Sequence, residues 1–445
     1  MNDRSLWQRN NDAYLAAALD WLRLRLLRQI AALERAPDSS PISRAVVSDA
    51  ELAEAEAAVA KAEAVEPPPA LVILRDRLGL SRFECDVLLL CTGLELDTRI
   101  ATLCAHAQDD PLRPYPTFAL ALALFDEAHW EALSPYCPLR YWRLIEINQP
   151  GAQPLAMSAL RADERIVNFV KGLNQLDDRL APLLIAMSAD GAALPYSQQA
   201  VVDMVIGQFD DPRHDRPVVQ LVGPDKSSKQ LIASDAAARL DLFLYRLSPE
   251  LLPAHAGELE TFARLWNRES RLLPLALYLD AHEIDAAGAN ESPARLIHRF
   301  LGRCRGVVFL DTRDVWPELN ESAMAIDVGK PTPSEQQSLW SAALGDASGD
   351  SPLRLAAQFS LSLSAIQQIA GAAQRQATNG DLPDCLWQAC LAHTRPRLDA
   401  LAQRIDPRAT WDDLVLPETE LNLLRQIVAQ VRQRGRVYDD WGFRQ

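Results

Sequence analysis

The sequence predicts a multi-domain protein of α and α/β character, in which helical segments flank a unit built on a parallel sheet. Two observations carry this. Between residues 217 and 329 lie five β-rich runs, Val218–Val222, Leu242–Leu247, Leu275–Leu279, Val307–Leu310 and Met324–Val328, with helical segments between the first four. Strands that alternate with helices imply a parallel sheet covered on both faces. On either side of this stretch, apolar residues recur at three- and four-residue spacings, the signature of amphipathic helices. A length of 445 residues suits roughly three domains.

Composition narrows the function classes. Hydrophobic residues make up 48% and charged residues 24%, the balance of a globular protein with sizeable cores. Against 60 Asp and Glu stand 45 Lys and Arg, a net charge of −15. That excess repels phosphate backbones and acidic membranes over the whole molecule, while leaving room for a local basic patch. The start, Met1-Asn-Asp-Arg-Ser-Leu-Trp-Gln, lacks an apolar signal region, and no run of about 18 apolar residues predicts a membrane span. Seven cysteines scattered through a long chain read as reduced thiols, so the expected location is cytoplasmic. Only five basic residues are lysines: Lys61, Lys171, Lys226, Lys229 and Lys330.

Residues 1–69 read as a helical region. Leu15, Leu19, Leu22, Leu26 and Ile30 form one stripe on a helix over Ala13–Glu34. Pro37 and Pro41 break it, Ser48–Val65 suits a solvated or loosely packed helix, and Pro67-Pro68-Pro69 closes the region. Residues 70–194 form the next unit. Ser81-Arg-Phe-Glu84 fits a capping box ahead of the apolar helix containing Val87–Leu90. Asp97 caps a helix through about Ala107, and Thr117 caps Phe118–Leu124. Leu139–Ile147 alternates as a half-buried strand, and a helix over Asp163–Leu173 continues the unit. Three helices followed by a strand pair is the order of a winged helix. Residues 195–332 hold the α/β unit. Residues 333–403 form a helical lid of four segments: Ser334–Leu344, Pro352–Phe359, Ser364–Ala377 and Leu382–Gln403.

The candidate site lies after the first strand of the α/β unit, at Gly223-Pro-Asp-Lys-Ser-Ser-Lys-Gln230. A phosphate-binding loop needs G-x-x-x-x-G-K-[ST] between strand and helix: backbone N–H groups cradle phosphate, the lysine reaches it, and the hydroxyl holds Mg²⁺. Gly223 and Lys229 stand at this spacing. Ser228 replaces the second glycine and Gln230 the hydroxyl residue. The third strand, Leu275-Ala-Leu-Tyr-Leu-Asp280, ends in an acid suited to a Mg²⁺ contact. The following position, where a glutamate activates water, holds Ala281, and Glu283 is the weak candidate for a substitute base. The fourth strand ends in Asp311-Thr312, where Thr312 is the candidate to orient that water.

These features resemble an AAA+ ATPase module over residues 195–403. The resemblance implies ATP or ADP with Mg²⁺ as ligand, Lys229 on phosphates, Asp280 on the metal and Thr312 as sensor. The sequence departs from the family at Gln230 and Ala281, has no arginine between Pro317 and Gly329 to serve as a finger, and carries Gln367 and Gln368 near the lid's sensing position. Hydrolysis at this site is therefore not expected. Residues 404–445, with Trp411-Asp-Asp-Leu414 and Trp441-Gly-Phe443, resemble the opening of a second such module, which the chain does not complete. The order is similar to the two-module AAA+ ATPases encoded beside bacterial contractile injection systems. Most of that likeness lies in Leu78–Cys91, Leu94–Asp97 and Arg113–Phe118. It implies a protein partner docked through the N-terminal domains, and a homo-oligomeric ring when the second module is present.

Three rival readings stand beside this one: a weak ATPase using Glu283 with Ser227 or Ser228, a nucleic-acid-binding winged-helix adaptor, and a pure scaffold that binds no nucleotide. Against the second, the segment Phe118–Phe125 has no Lys, Arg, Asn or Gln to reach base edges. The Cys85, Cys91, Cys104, His106 and Cys385, Cys390, His393 groups lack zinc-knuckle spacing and read as buried thiols.

Overall fold

A computed structural model describes residues 3–34, 47–188, 193–209, 218–284, 293–319, 323–345, 349–376, 382–394 and 410–433. The expected break at Pro37–Pro41 and the Trp441-Gly-Phe443 segment lie outside them. The chain divides into two compact units: residues 1–185 with 247–275 and 291–306, and residues 186–246 with 276–290 and 307–445.

In the first unit, helix α1 (Asp3–Glu34) starts well before Ala13 and pairs with α2 (Asp49–Glu63). Ser48 and Glu51 form a capping box at the start of α2. Leu15, Leu22 and Leu26 share one core with Leu52 and Val59, so α2 packs more firmly than its Ala- and Glu-rich sequence suggests. Helix α3 (Ala70–Leu78) ends at Gly79, whose φ of +72° suits a residue without Cβ. Helix α4 (Arg82–Leu96) opens on the Ser81–Glu84 capping box and buries Val87, Leu88, Leu89 and Leu90. Helix α5 (Arg99–Ala107) receives Asp97 Oδ1 on the Arg99 N–H at 3.0 Å. Helix α6 (Phe118–Leu124) is capped by Thr117, whose Oγ1 accepts from the Leu120 N–H at 3.0 Å.

The next segment differs from its expected form. Pro138 starts a helical turn, α7 (Pro138–Tyr141), and Arg143 turns the chain at φ +51°. Strand β1 (Ile145–Asn148) therefore begins six residues later than Leu139. Proline's fixed φ favours the first helical position, and this overrides the alternating pattern. Strand β1 pairs antiparallel with β2 (Ala159–Ala162), and α8 (Glu164–Val170) follows.

The second unit holds most of a six-stranded sheet. Its strands are β3 (Leu184–Met187), β4 (Val218–Val222), β5 (Phe243–Leu247), β6 (Leu275–Asp280), β7 (Val307–Thr312) and β8 (Ala323–Asp327), in the order β3-β5-β6-β7-β4-β8. The five expected strands are all present; β3 at the edge is an addition. Strand β4 runs parallel to both β7 and β8, and β6 parallel to β7. Helix α9 (Tyr196–Phe209) and helix α10 (Lys226–Arg239) share with these strands a core containing Val202, Val205, Ile232 and Phe309. The lid helices α13 (Pro333–Leu344), α14 (Ser351–Gln358), α15 (Leu363–Gln376) and α16 (Leu382–Thr394) enclose Trp340, Ile366, Leu386 and Cys390.

Helices α11 (Ala256–Leu272) and α12 (Pro293–Leu301), which the sequence places between strands of the α/β unit, fall within the first unit. The reason is a buried ion network on α11. Arg268 is 0% exposed and pairs with Asp177, with Asp163 at 3.4 Å and with Glu269 at 3.1 Å. Its Nη1 also donates to the Arg143 carbonyl at 3.0 Å, and Arg165 reaches Glu269 at 3.0 Å. Burial pushes the Asp177 carboxyl up, but hydrogen bonds from Arg179 and the charge of Arg268 outweigh it and hold the group at about 2. A depressed native pKa contributes stability that is full above the unfolded value near ~3.9 and lost as pH falls through about 2. Replacing Arg268 by Met leaves buried carboxylates short of a partner and should cost about 3–5 kcal/mol in urea unfolding at pH 7. The deficit should shrink as the pH falls toward 2, because Asp177 without the Arg268 charge takes up its proton at a higher pH than in the wild type.

Candidate functional site

The parallel register brings the expected site residues to one end of the sheet. Val222 of β4 pairs with Thr312 of β7, and Asp280 of β6 pairs with Asp311 of β7. Gly223 follows Val222, so loop, acid and polar strand end meet at the carboxyl ends of three adjacent strands. In open α/β sheets ligands bind at this end, where the strand order reverses. Gly223 adopts φ +139°, and a Cβ there would sit 2.4 Å from the Val328 carbonyl oxygen. Only glycine fits this close approach. Helix α10 begins at Lys226, inside the Gly223–Gln230 segment, so the loop is reduced to Gly223-Pro224-Asp225.

Lys229 projects inward from this helix and is 0% exposed. Its ammonium pairs with Asp311 and donates to the Gly223 and Thr312 carbonyls, each at 2.7 Å, while His282 Nδ1 lies 2.9 Å away. An ammonium has three N–H donors, so these four acceptors exhaust it. Burial lowers the lysine's affinity for its proton, and the hydrogen bond and charge of Asp311 oppose that loss. Asp311 is itself fully buried and accepts from the Tyr278 hydroxyl at 2.7 Å. Burial, reinforced by the Lys229 charge, pushes His282 below its ordinary value.

The other expected residues are likewise engaged within the protein. Ser228 is buried; its hydroxyl donates to Asp225 at 2.6 Å and accepts from Gln198 Nε2 at 2.8 Å. Asp280 pairs with Lys226 at 2.8 Å. Thr312 Oγ1 accepts from Gln220 at 3.0 Å, and its carbonyl also receives the Gly223 N–H at 3.1 Å. Glu283 is exposed and pairs with Arg313 at 2.6 Å. Gln230 is half-buried on the first turns of α10. A nucleotide with Mg²⁺ needs a lysine donor aimed outward, a hydroxyl ligand and an available carboxylate. In this arrangement the ammonium is enclosed, position 230 offers an amide, and Asp280 carries a cation already. The residues as placed do not fit the group.

Sequence reasoning singled out Lys229, Asp280 and Thr312, and the fold brings all three to one end of the sheet. It passed over Asp311, the charge that holds Lys229. The signal was present: an acid near the end of an otherwise apolar strand, adjacent to Thr312, needs a polar partner when it is buried. The cysteine groups are thiols in packed helices. Cys91, Cys104 and Cys390 are buried, and burial pushes Cys85, Cys104 and Cys390 up to about 12. No metal-binding cluster occurs among the described residues.

Residues 9–184 match the family model of the winged helix domain, variant, and residues 332–396 match that of the contractile injection system ATPase helical domain. The likeness read from the sequence is borne out in both. Among solved structures the chain is similar to "Crystal structure of FIGL-1 AAA domain", at 14% identity over 57% of this chain and 97% of that one, with a TM-score of 0.36. It is also similar to "Structural Basis for Katanin Self-Assembly", at 15% identity over 52% of this chain and 91% of that one, with a TM-score of 0.34. No curated protein matches the chain. Among the described residues no helix is long and apolar enough to cross a membrane.

The Lys229 cage yields a double-mutant cycle. Lys229→Met strands a buried carboxylate and should cost about 3–5 kcal/mol in urea unfolding. Adding Asp311→Asn should restore at least about 2 kcal/mol, a positive coupling that an outward-facing phosphate ligand would not produce.

Proposed function

We propose that this chain, which carries a winged-helix domain and the helical domain of a contractile injection system ATPase, is a non-hydrolysing module of an AAA+ assembly. In this reading its α/β unit serves as a rigid subunit of a ring, and its N-terminal helices and winged helix dock a protein partner. The observation that carries the proposal is the enclosure of the Lys229 ammonium by Asp311, His282 and two carbonyls. The residue that would grip phosphate instead ties α10 to the ends of β4 and β7. Ala281 and Gln230 agree with this, since neither offers a base or a hydroxyl ligand.

The weak-ATPase alternative relies on Glu283, which is committed to Arg313 at 2.6 Å. The nucleic-acid alternative relies on α6, whose Phe118, Leu120, Ala121 and Leu124 are buried. Lid and α/β unit act together through Glu335. Its carboxylate accepts from the Thr332 N–H at the start of α13 at 2.8 Å and from the Ser197 N–H of α9 at 2.7 Å. Burial pushes this carboxyl up, but the hydrogen bonds from Ser197 and Thr332 outweigh it and leave it below its ordinary value. A module whose lid is pinned in this way suits a subunit that holds one shape.

The test is nucleotide titration and phosphate release with the full chain. A fluorescent ATP analogue should show no saturable binding below about millimolar concentration, and phosphate release should stay at background. ATP turnover that disappears in the stability-restored Lys229→Met/Asp311→Asn variant would sink the proposal. Light scattering across a concentration series should report self-association, and a strict monomer at high concentration would remove the ring role.

A further inference from the structure

A cavity of about 370 Å³ in the first unit carries charge opposite to that of the whole chain. Four guanidinium groups line it, from Arg140, Arg143, Arg179 and Arg264, against two carboxylates, Glu146 and Asp163. Two of the arginines have carboxylate partners. Arg179 holds Asp163 at 2.7 Å and Asp177 at 2.6 Å. Arg264 pairs with Glu260 at 2.9 Å and lies 4.6 Å from the Tyr141 ring centroid. Arg140 donates to the Leu133 carbonyl.

Arg143, like Arg140, has no carboxylate within ion-pair distance among the described residues; its Nη2 donates to the Thr261 hydroxyl at 2.7 Å. The left-handed turn at φ +51° holds its backbone in place, because the Arg143 carbonyl accepts from the buried Arg268. Partial burial, then repulsion from Arg264, Arg179 and Arg268, weakens the hold of Arg143 on its proton. Among the described residues Arg140 and Arg143, two guanidiniums without an ion pair, stand beside the one carboxylate of Glu146, a local excess of positive charge that an oxyanion relieves.

We propose that this cavity binds a carboxylate side chain of an acidic peptide segment from a partner protein, with Arg143 as its main contact. The proposal deepens the docking role given above to the winged-helix domain, and rests on it. The local structure favours a peptide over a free anion. Ile145 and Ile147 of β1 contribute apolar surface to the same cavity, and among the described residues β1 has a strand neighbour, β2, on one edge only. An extended chain laid along such an edge gains main-chain hydrogen bonds while alternate side chains reach the pocket. A guanidinium fork recognises carboxylate in a bidentate manner, which a compact lysine charge does not.

The experiment uses the full chain and a fluorescein-labelled octaglutamate peptide, followed by anisotropy at low salt. Saturable binding is expected, weakening as salt rises. Arg143→Gln should weaken it at least tenfold, while Arg113→Gln, outside the cavity, should leave it unchanged. Circular dichroism on both variants should match the wild type, since Arg143 is exposed. Inorganic pyrophosphate should compete only weakly. Absence of saturable peptide binding, or equal affinity in Arg143→Gln, would overturn the inference and leave docking through other surfaces standing. Pyrophosphate binding tightly where the peptide does not would replace the peptide with a phosphate ligand. Salt-sensitive binding of duplex DNA that Arg143→Gln abolishes would overturn both this inference and the protein-docking role.

Discussion

The buried Lys229–Asp311 pair is the constraint on which the α/β unit is organised. Taking one charge out of water costs several kcal/mol, and the cost is recovered only when each partner is fully hydrogen-bonded. Here the ammonium meets Asp311, His282 and two strand-end carbonyls, while Asp311 also receives the Tyr278 hydroxyl. The pair thus fixes the start of α10 against β4, β6 and β7 at once. A hydrophobic replacement could hold these elements together as firmly, but it would not specify which strand ends meet. Directional bonds do.

The first unit uses the same device at Arg268, which gathers Asp177, Asp163 and Glu269 around one guanidinium. In both units a buried cation on a helix takes an acid from a distant part of the chain. At Arg268 the acid Asp177 lies 91 positions away. This gives each unit a polar anchor within an apolar core.

Local chemistry made much of this fold legible in the sequence. Ser81 with Glu84 and Thr117 before Phe118 announce helix starts because their side chains serve nearby backbone N–H groups. The strands of the sheet are recognisable as short apolar runs bounded by turns. What escaped were features decided by remote contacts or by competition between local signals. Leu139–Ile147 alternates like a strand, yet Pro138 starts a turn of helix there. Strand β3 is four residues long and carries no pattern of its own. Helices α11 and α12 read as parts of the α/β unit because they lie between its strands in sequence, and nothing near Arg268 reveals where its acids lie. At the candidate site the residue types were readable, but the direction in which Lys229 points was not, because that depends on Asp311 of another strand.

Gly223 draws out a final consequence. Its missing Cβ makes room for the Val328 carbonyl just beyond β8, and the Val328 N–H in turn donates to the Val222 carbonyl at 2.7 Å. The glycine is therefore demanded by the seam between two neighbouring strands, whatever lies in front of the loop. A residue that looks like the mark of a ligand can be maintained by the closure of the sheet alone. In this chain the hallmark glycine testifies to architecture.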